Sequence, residues 1–69
     1  MTIYMPLLNE GTDVWRPVNA TPLAGDRYRV EGNVPQDEEW AFASGTIVRC
    51  RWHIFSDGKT GLTATSPAD

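Results

Sequence analysis

The stretch Thr46-Ile47-Val48-Arg49-Cys50-Arg51-Trp52-His53-Ile54-Phe55 decides the fold, because two chemically different sets of side chains alternate along it. The apolar set is Val48, Cys50, Trp52 and Ile54, and the basic set between them is Arg49, Arg51 and His53. Successive side chains of a β-strand point to opposite faces, so this pattern predicts a half-buried strand. The apolar set, Trp52 included, is expected to face the core, and the basic set is expected to face water.

The segments around this strand also alternate or end in turn residues. Asp57-Gly58 follows it at once and is a strong hairpin signal. Residues 60–65 then provide the returning strand, and further strands are predicted at 2–8, 13–20 and 27–31. Pro17 removes a ladder donor, so the second strand is predicted to be an edge or to bend there. The six glycines are interpreted as one per turn.

Residues 34–44 are the segment least like a strand. They contain Pro35 and the acidic run Asp37-Glu38-Glu39, which favour a loop with at most one helical turn. Trp40 and Phe42 are expected to anchor this loop on the core, and Glu39 is a candidate partner for an arginine on the neighbouring strand. The acidic run lacks the alternating ligand spacing of a calcium loop.

A chain of 69 residues forms one domain at most, here residues 1–69, and buries only about 60% of the surface exposed on unfolding. We expect the tail to fray from about residue 66. The predicted core consists of Leu8, Val14, Val18, Tyr28, Val30, Phe42, Val48, Cys50, Trp52, Ile54 and Leu62.

About five short antiparallel strands in so small a chain favour a nearly closed all-β barrel, because closure removes unpaired edges. The run Glu39-Trp40-Ala41-Phe42-Ala43-Ser44-Gly45-Thr46-Ile47-Val48 resembles the diverging turn of SH3 domains. This resemblance implies a small SH3-like barrel. An OB-like barrel is the alternative architecture, but it usually has a helix between its third and fourth strands, for which residues 34–44 with Pro35 are poor material. The peptide-binding segments of that family have no counterpart here, so none of its binding residues is carried over. The whole chain also resembles a group of short bacterial proteins, and that resemblance implies no activity.

Catalysis is not expected from this sequence. His53 and Cys50 are the only residues of their types, and their odd separation places them on opposite faces of one strand. One cysteine and one histidine cannot supply a zinc site, and no cofactor motif is present. A lone cysteine and the absence of a basic, apolar leader favour a cytoplasmic protein without membrane insertion.

The candidate binding surface is basic and aromatic. Arginine and exposed aromatic residues are enriched at interface hot spots, which favours a protein or peptide partner for a monomer or weak homodimer. A single-stranded nucleic acid is the alternative, although the net charge of −3 disfavours it. Cross-strand ion pairs and a core role for the tryptophans are the competing explanation. The candidate residues are Trp15, Arg16, Arg29, Trp40, Arg49, Arg51 and His53.

Overall fold

The computed structural model describes residues 1–11 and 14–68, and in these ranges the regular structure is entirely β. Five strands form one closed sheet in chain order. This confirms the small all-β barrel predicted from the sequence. The strands are β1 (Thr2–Pro6), β2 (Trp15–Pro22), β3 (Arg27–Val30), β4 (Ile47–Ile54) and β5 (Thr60–Pro67).

The pair of strands that closes the barrel is parallel because the number of strands is odd. Each strand runs antiparallel to the next, so the first and the last point in the same direction. The closing pair is therefore parallel, with Tyr4 of β1 opposite Thr63 of β5. Such closure leaves few free edges in a sheet of this size.

The core lies inside the barrel and confirms five of the predicted residues, Val18, Val30, Val48, Cys50 and Leu62. Val14, Tyr28 and Phe42 are half-buried. The core also contains residues that the prediction omitted, namely Ile3, Met5, Ala20, Trp40 and Ala64.

The side assigned to β1 was wrong. Leu8 was expected in the core but is 43% exposed, whereas Ile3 and Met5 are fully buried. Residues 2–8 are apolar on both sides, so their pattern does not distinguish the inner face from the outer one.

The prediction that Trp52 and Ile54 are buried in the core was also wrong, since these side chains are 72% and 71% exposed. Alternation holds for the buried Val48 and Cys50 on the same face of β4. However, β3 pairs with β4 only as far as Arg49, so the β4–β5 hairpin continues beyond the neighbouring wall of the barrel. Trp52 and Ile54 therefore lie on the inner face of a hairpin, and no strand among the described residues lies opposite them.

Pro17 occupies a position where β2 is locally an edge. Ala20 N donates to Met1 O on the β1 side, whereas Glu31 N donates to Asn19 O on the other side. The backbone N–H and C=O groups of odd-numbered β2 residues therefore point towards β3. The pairing of β2 with β3 begins only at Ala20. The donor that proline lacks is not needed there.

The remaining segment boundaries differ modestly from expectation. β5 continues to Pro67, and Ala68 N donates to Ile47 O at 2.9 Å, so the strand is longer than predicted. The loop at 34–44 contains one turn closed by Glu38 N and Pro35 O. Asp13, the predicted start of β2, lies outside the described residues.

Two isoleucines test this account of the barrel. Ile3→Val should lower the free energy of unfolding by about 0.5–1.5 kcal/mol, because it removes a methylene from a filled core. Ile54→Val should change it by less than about 0.5 kcal/mol, because that side chain is in water. Both replacements keep a β-branched residue, so strand propensity is matched. If urea denaturation shows that both variants lose the same free energy of unfolding, the exposed placement of Ile54 is contradicted.

Candidate functional site

The outer face of the barrel carries a row of arginines, here called the arginine row and defined as Arg27, Arg49 and Arg51. Arg49 and Arg51 alternate with buried residues along β4, and Arg27 lies directly opposite Arg49 on β3. The carboxylate of Asp26 approaches Arg49 at 3.7 Å, a distance that corresponds to a weak, solvent-screened ion pair. Arg27 and Arg51 make no ion pair with any residue in 1–11 or 14–68.

A shallow cleft of about 340 Å³ lies along the arginine row, and its lining residues are Asp26, Arg49, Arg51, Thr65 and Ser66. Thr65 is the extra residue of a register shift between β4 and β5. The cleft thus offers two guanidinium groups and two hydroxyl groups against one carboxylate. This combination suits a carboxylate or another small oxyanion group of a partner.

Beyond Arg51 the same outer face becomes aromatic. The aromatic cluster consists of Tyr4, Trp15, His53 and Phe55. Ring centroids of His53 and Phe55 are 5.0 Å apart, and Trp15 lies 5.1 Å from His53 and 5.4 Å from Phe55. Tyr4 meets Phe55 edge-to-face at 5.0 Å. These contacts hold the rings in fixed positions beside the arginine row.

Gly61 is a structural requirement of the aromatic cluster that the sequence analysis did not recognise. It lies within β5 rather than in a turn, so the interpretation of one glycine per turn was wrong here. A Cβ at this position would lie 2.7 Å from Cδ2 of Tyr4 and 3.1 Å from Cε2 of Phe55. The two rings therefore pack directly on the glycine backbone.

Arg16 and Trp40 belong to a different part of the molecule. Nε of Arg16 donates to both carboxylate oxygens of Glu38, at 2.6 and 2.8 Å, and Nε1 of Trp40 donates to Glu38 at 3.1 Å. Trp40 is only 8% exposed, so it anchors the loop as expected but adds little to any binding surface. The arginine partner in the acidic run is thus Glu38, while Glu39 accepts a hydrogen bond from Asn9.

Arg29 lies on the outer face of β3 but is already paired. Its Nε lies 2.9 Å from Oε2 of Glu31, and that oxygen also accepts a hydrogen bond from Thr21 at 2.7 Å. The hydrogen bond from Thr21, followed by that from Arg29, holds the pKa of Glu31 below its ordinary value. Arg29 is therefore a weaker candidate for binding than Arg51.

Cys50 and His53 lie on opposite faces of β4, as the alternation predicted. Cys50 is buried and His53 is exposed. Burial, with a smaller contribution from Asp26, raises the pKa of the Cys50 thiol to about 11, so the thiol is protonated at neutral pH. The described residues contain no group of three or more His, Cys, Asp or Glu side chains that could hold a metal ion.

The structure brings Arg49, Arg51, His53 and Trp15 together on one outer face, with Arg16 and Trp40 elsewhere. Within 1–11 and 14–68 no helix is long and apolar enough to cross a membrane. No family model, curated protein or solved structure matches the chain. The resemblance to SH3 domains and to short bacterial proteins therefore stays a prediction.

A double-mutant cycle tests the packing of Tyr4 on Gly61. Gly61→Ala should destabilise the fold by about 1–3 kcal/mol, because the added methyl group overlaps the ring. In a Tyr4→Ala background the same replacement should cost much less, because the ring is gone. Thermal unfolding of the four proteins gives the coupling energy. Additive effects would mean that the ring does not rest on Gly61.

The contacts of Glu38 predict an acid-sensitive contribution to stability. Burial alone would raise its pKa, but hydrogen bonds from Arg16 and Trp40 outweigh this effect and lower the pKa below the ordinary 4.5. Its stabilisation is therefore complete above pH 4.5 and is lost as the pH falls through the lowered folded-state value. Glu38→Gln should lower Tm at neutral pH and flatten the acid decline. The exposed Glu10→Gln variant should keep the wild-type profile.

Proposed function

We propose that the protein is a non-catalytic, cytosolic module that binds a protein or peptide partner through the β4–β5 hairpin. The observation that carries this proposal is the exposure of Trp52 and Ile54, at 72% and 71%, next to Arg51, which makes no ion pair within residues 1–11 and 14–68. Trp52 and Ile54 point to the inner side of the hairpin, and Arg51 points to the outer side. A partner that covers the hairpin meets apolar and basic groups together.

The energetics of exposure support a binding role. A tryptophan and an isoleucine left in water forgo about 1.5–3 kcal/mol each of burial free energy, which is large for a marginally stable domain. Tryptophan and arginine are also the residues most enriched among interface hot spots. When a partner removes these two apolar side chains from water, their burial stabilises the complex.

The balance of charge supports a protein rather than a nucleic acid as partner. The chain has nine acidic and six basic residues, so its long-range field repels a polyanion. Single-stranded nucleic acid remains the second candidate for one reason, namely that the arginine row continues directly into the aromatic cluster. Such a combination can stack bases and contact phosphates.

Selection from a random linear peptide display library tests the proposal. The wild-type protein should enrich peptides that bind in the micromolar range. Replacing Trp52 and Ile54 together by threonine, which keeps β-branching, should weaken binding at least about 30-fold, the size of a hot-spot loss. Ile47→Thr on the same strand is the matched control and should bind normally. Arg51→Gln should weaken the binding of acidic peptides more than Arg29→Gln does.

Two results would contradict the proposal. The first is a selection that enriches no peptide, together with tight binding of a fluorescent single-stranded oligonucleotide at low salt, which would favour the nucleic-acid function. The second is enrichment of peptides whose affinity is the same for the threonine double variant as for the wild type.

A further inference from the structure

The β4 strand has an open edge at residues 51–54, which include the exposed apolar side chains of Trp52 and Ile54. Pairing with β3 reaches Arg49, and one further bond joins Cys50 N to Asp26 O at 2.9 Å. The chain of β3 then turns away through the Gly25–Asp26 turn. Within residues 1–11 and 14–68, residues 51–54 of β4 therefore pair with β5 alone.

The direction of the backbone groups along this edge follows from two hydrogen bonds. Phe55 N donates to Lys59 O on the β5 side, whereas Cys50 N donates to the β3 side. Alternate residues of an antiparallel strand direct their N–H and C=O groups to opposite sides. The N–H and C=O groups of Trp52 and Ile54 therefore point away from β5, into the position that a longer β3 would occupy.

We infer that this edge binds an extended peptide segment by strand addition, in line with β3, and that the segment alternates apolar and acidic residues. This inference rests on the proposed function and specifies its binding mode. Main-chain hydrogen bonds to Trp52 and Ile54 supply part of the affinity, and pockets for alternate side chains supply specificity.

The side chains at the edge determine the composition of the segment. On the inner face an added strand meets Trp52 and Ile54, so its inward residues are apolar. On the outer face it meets Arg51 and His53, with Arg49 at the end of the free edge next to β3, so its outward residues are acidic. Opposite charges on adjacent strands attract, and like charges directly opposite each other are destabilising.

The same charges disfavour pairing of this edge with β4 of a second copy of the chain. All three outward residues of β4 at this edge are basic or histidine. Pairing of β4 with β4 of another copy therefore brings Arg51 of each copy beside a basic or histidine side chain of the other over the short free edge. An acidic partner meets no such repulsion, and natural edges use charges in this way to avoid self-association.

The first test measures amide hydrogen exchange in the free protein and with a synthetic peptide of about eight residues that alternates valine and glutamate. In the free protein the Trp52 and Ile54 amides should exchange at least about ten times faster than those of Arg51 and His53, which face β5. The peptide should slow exchange at Trp52 and Ile54 at least about ten-fold and leave Arg51 and His53 unchanged.

Two control peptides and one variant isolate the binding mode. A valine–lysine peptide should not bind, and a valine–glutamate peptide methylated at alternate backbone nitrogens should lose binding because it cannot complete the ladder. Ile54→Pro removes a backbone N–H that points away from β5 and leaves the hydrogen bonds to β5 intact. This variant should not bind the peptide. The circular dichroism of Ile54→Pro should match that of the wild type, so that lost binding is not mistaken for unfolding.

The outcomes distinguish this inference from the proposed function. Equal binding of the methylated peptide, or binding without protection of Trp52 and Ile54, would overturn strand addition while leaving a side-chain interface intact. Failure of the valine–glutamate peptide to bind at millimolar concentration would also overturn it. Protection of these amides that rises with protein concentration, without peptide, would assign the edge to a second copy instead.

Discussion

The antiparallel ladder between β4 and β5 is the constraint on which the other features depend. It extends from Val48 opposite Pro67 to Ile54 opposite Thr60, whereas the ladder between β3 and β4 ends at Arg49. The longer ladder carries β4 out of the barrel. Pairing with β5 continues along the projecting part of β4, so the hairpin is maintained there without a third strand.

This difference in ladder length creates two unlike surfaces on one hairpin. On its inner side Trp52 and Ile54 have no opposing wall, and on its outer side the arginine row continues into the aromatic cluster. Gly61 contributes to the second surface, because the absent side chain lets the ring of Tyr4 rest on the sheet. The hairpin is thus rigid where its aromatic rings pack and open where its edge is unpaired.

Local patterns predicted the strands and the hairpin turn, because these depend on neighbouring residues along the chain. The barrel followed from the number of short strands in so small a chain, because closure removes unpaired edges. Local patterns also placed Val18, Val30 and Val48 in the core. They failed for residues 2–8, where both faces are largely apolar and the pattern did not distinguish the buried Ile3 from the exposed Leu8. They also failed to find the partner of Arg16, because Glu38 and Glu39 are equivalent in sequence and only the path of the loop separates them.

The sequence by itself determined which side chains of β4 share a face, because alternation is a property of the extended backbone. Only the tertiary structure decided that this face is buried at Val48 and Cys50 and exposed at Trp52 and Ile54. Burial requires an opposing surface, and the length of β3 determines where that surface ends. The candidate binding site therefore lies where a correct local pattern continues beyond the barrel that covers it.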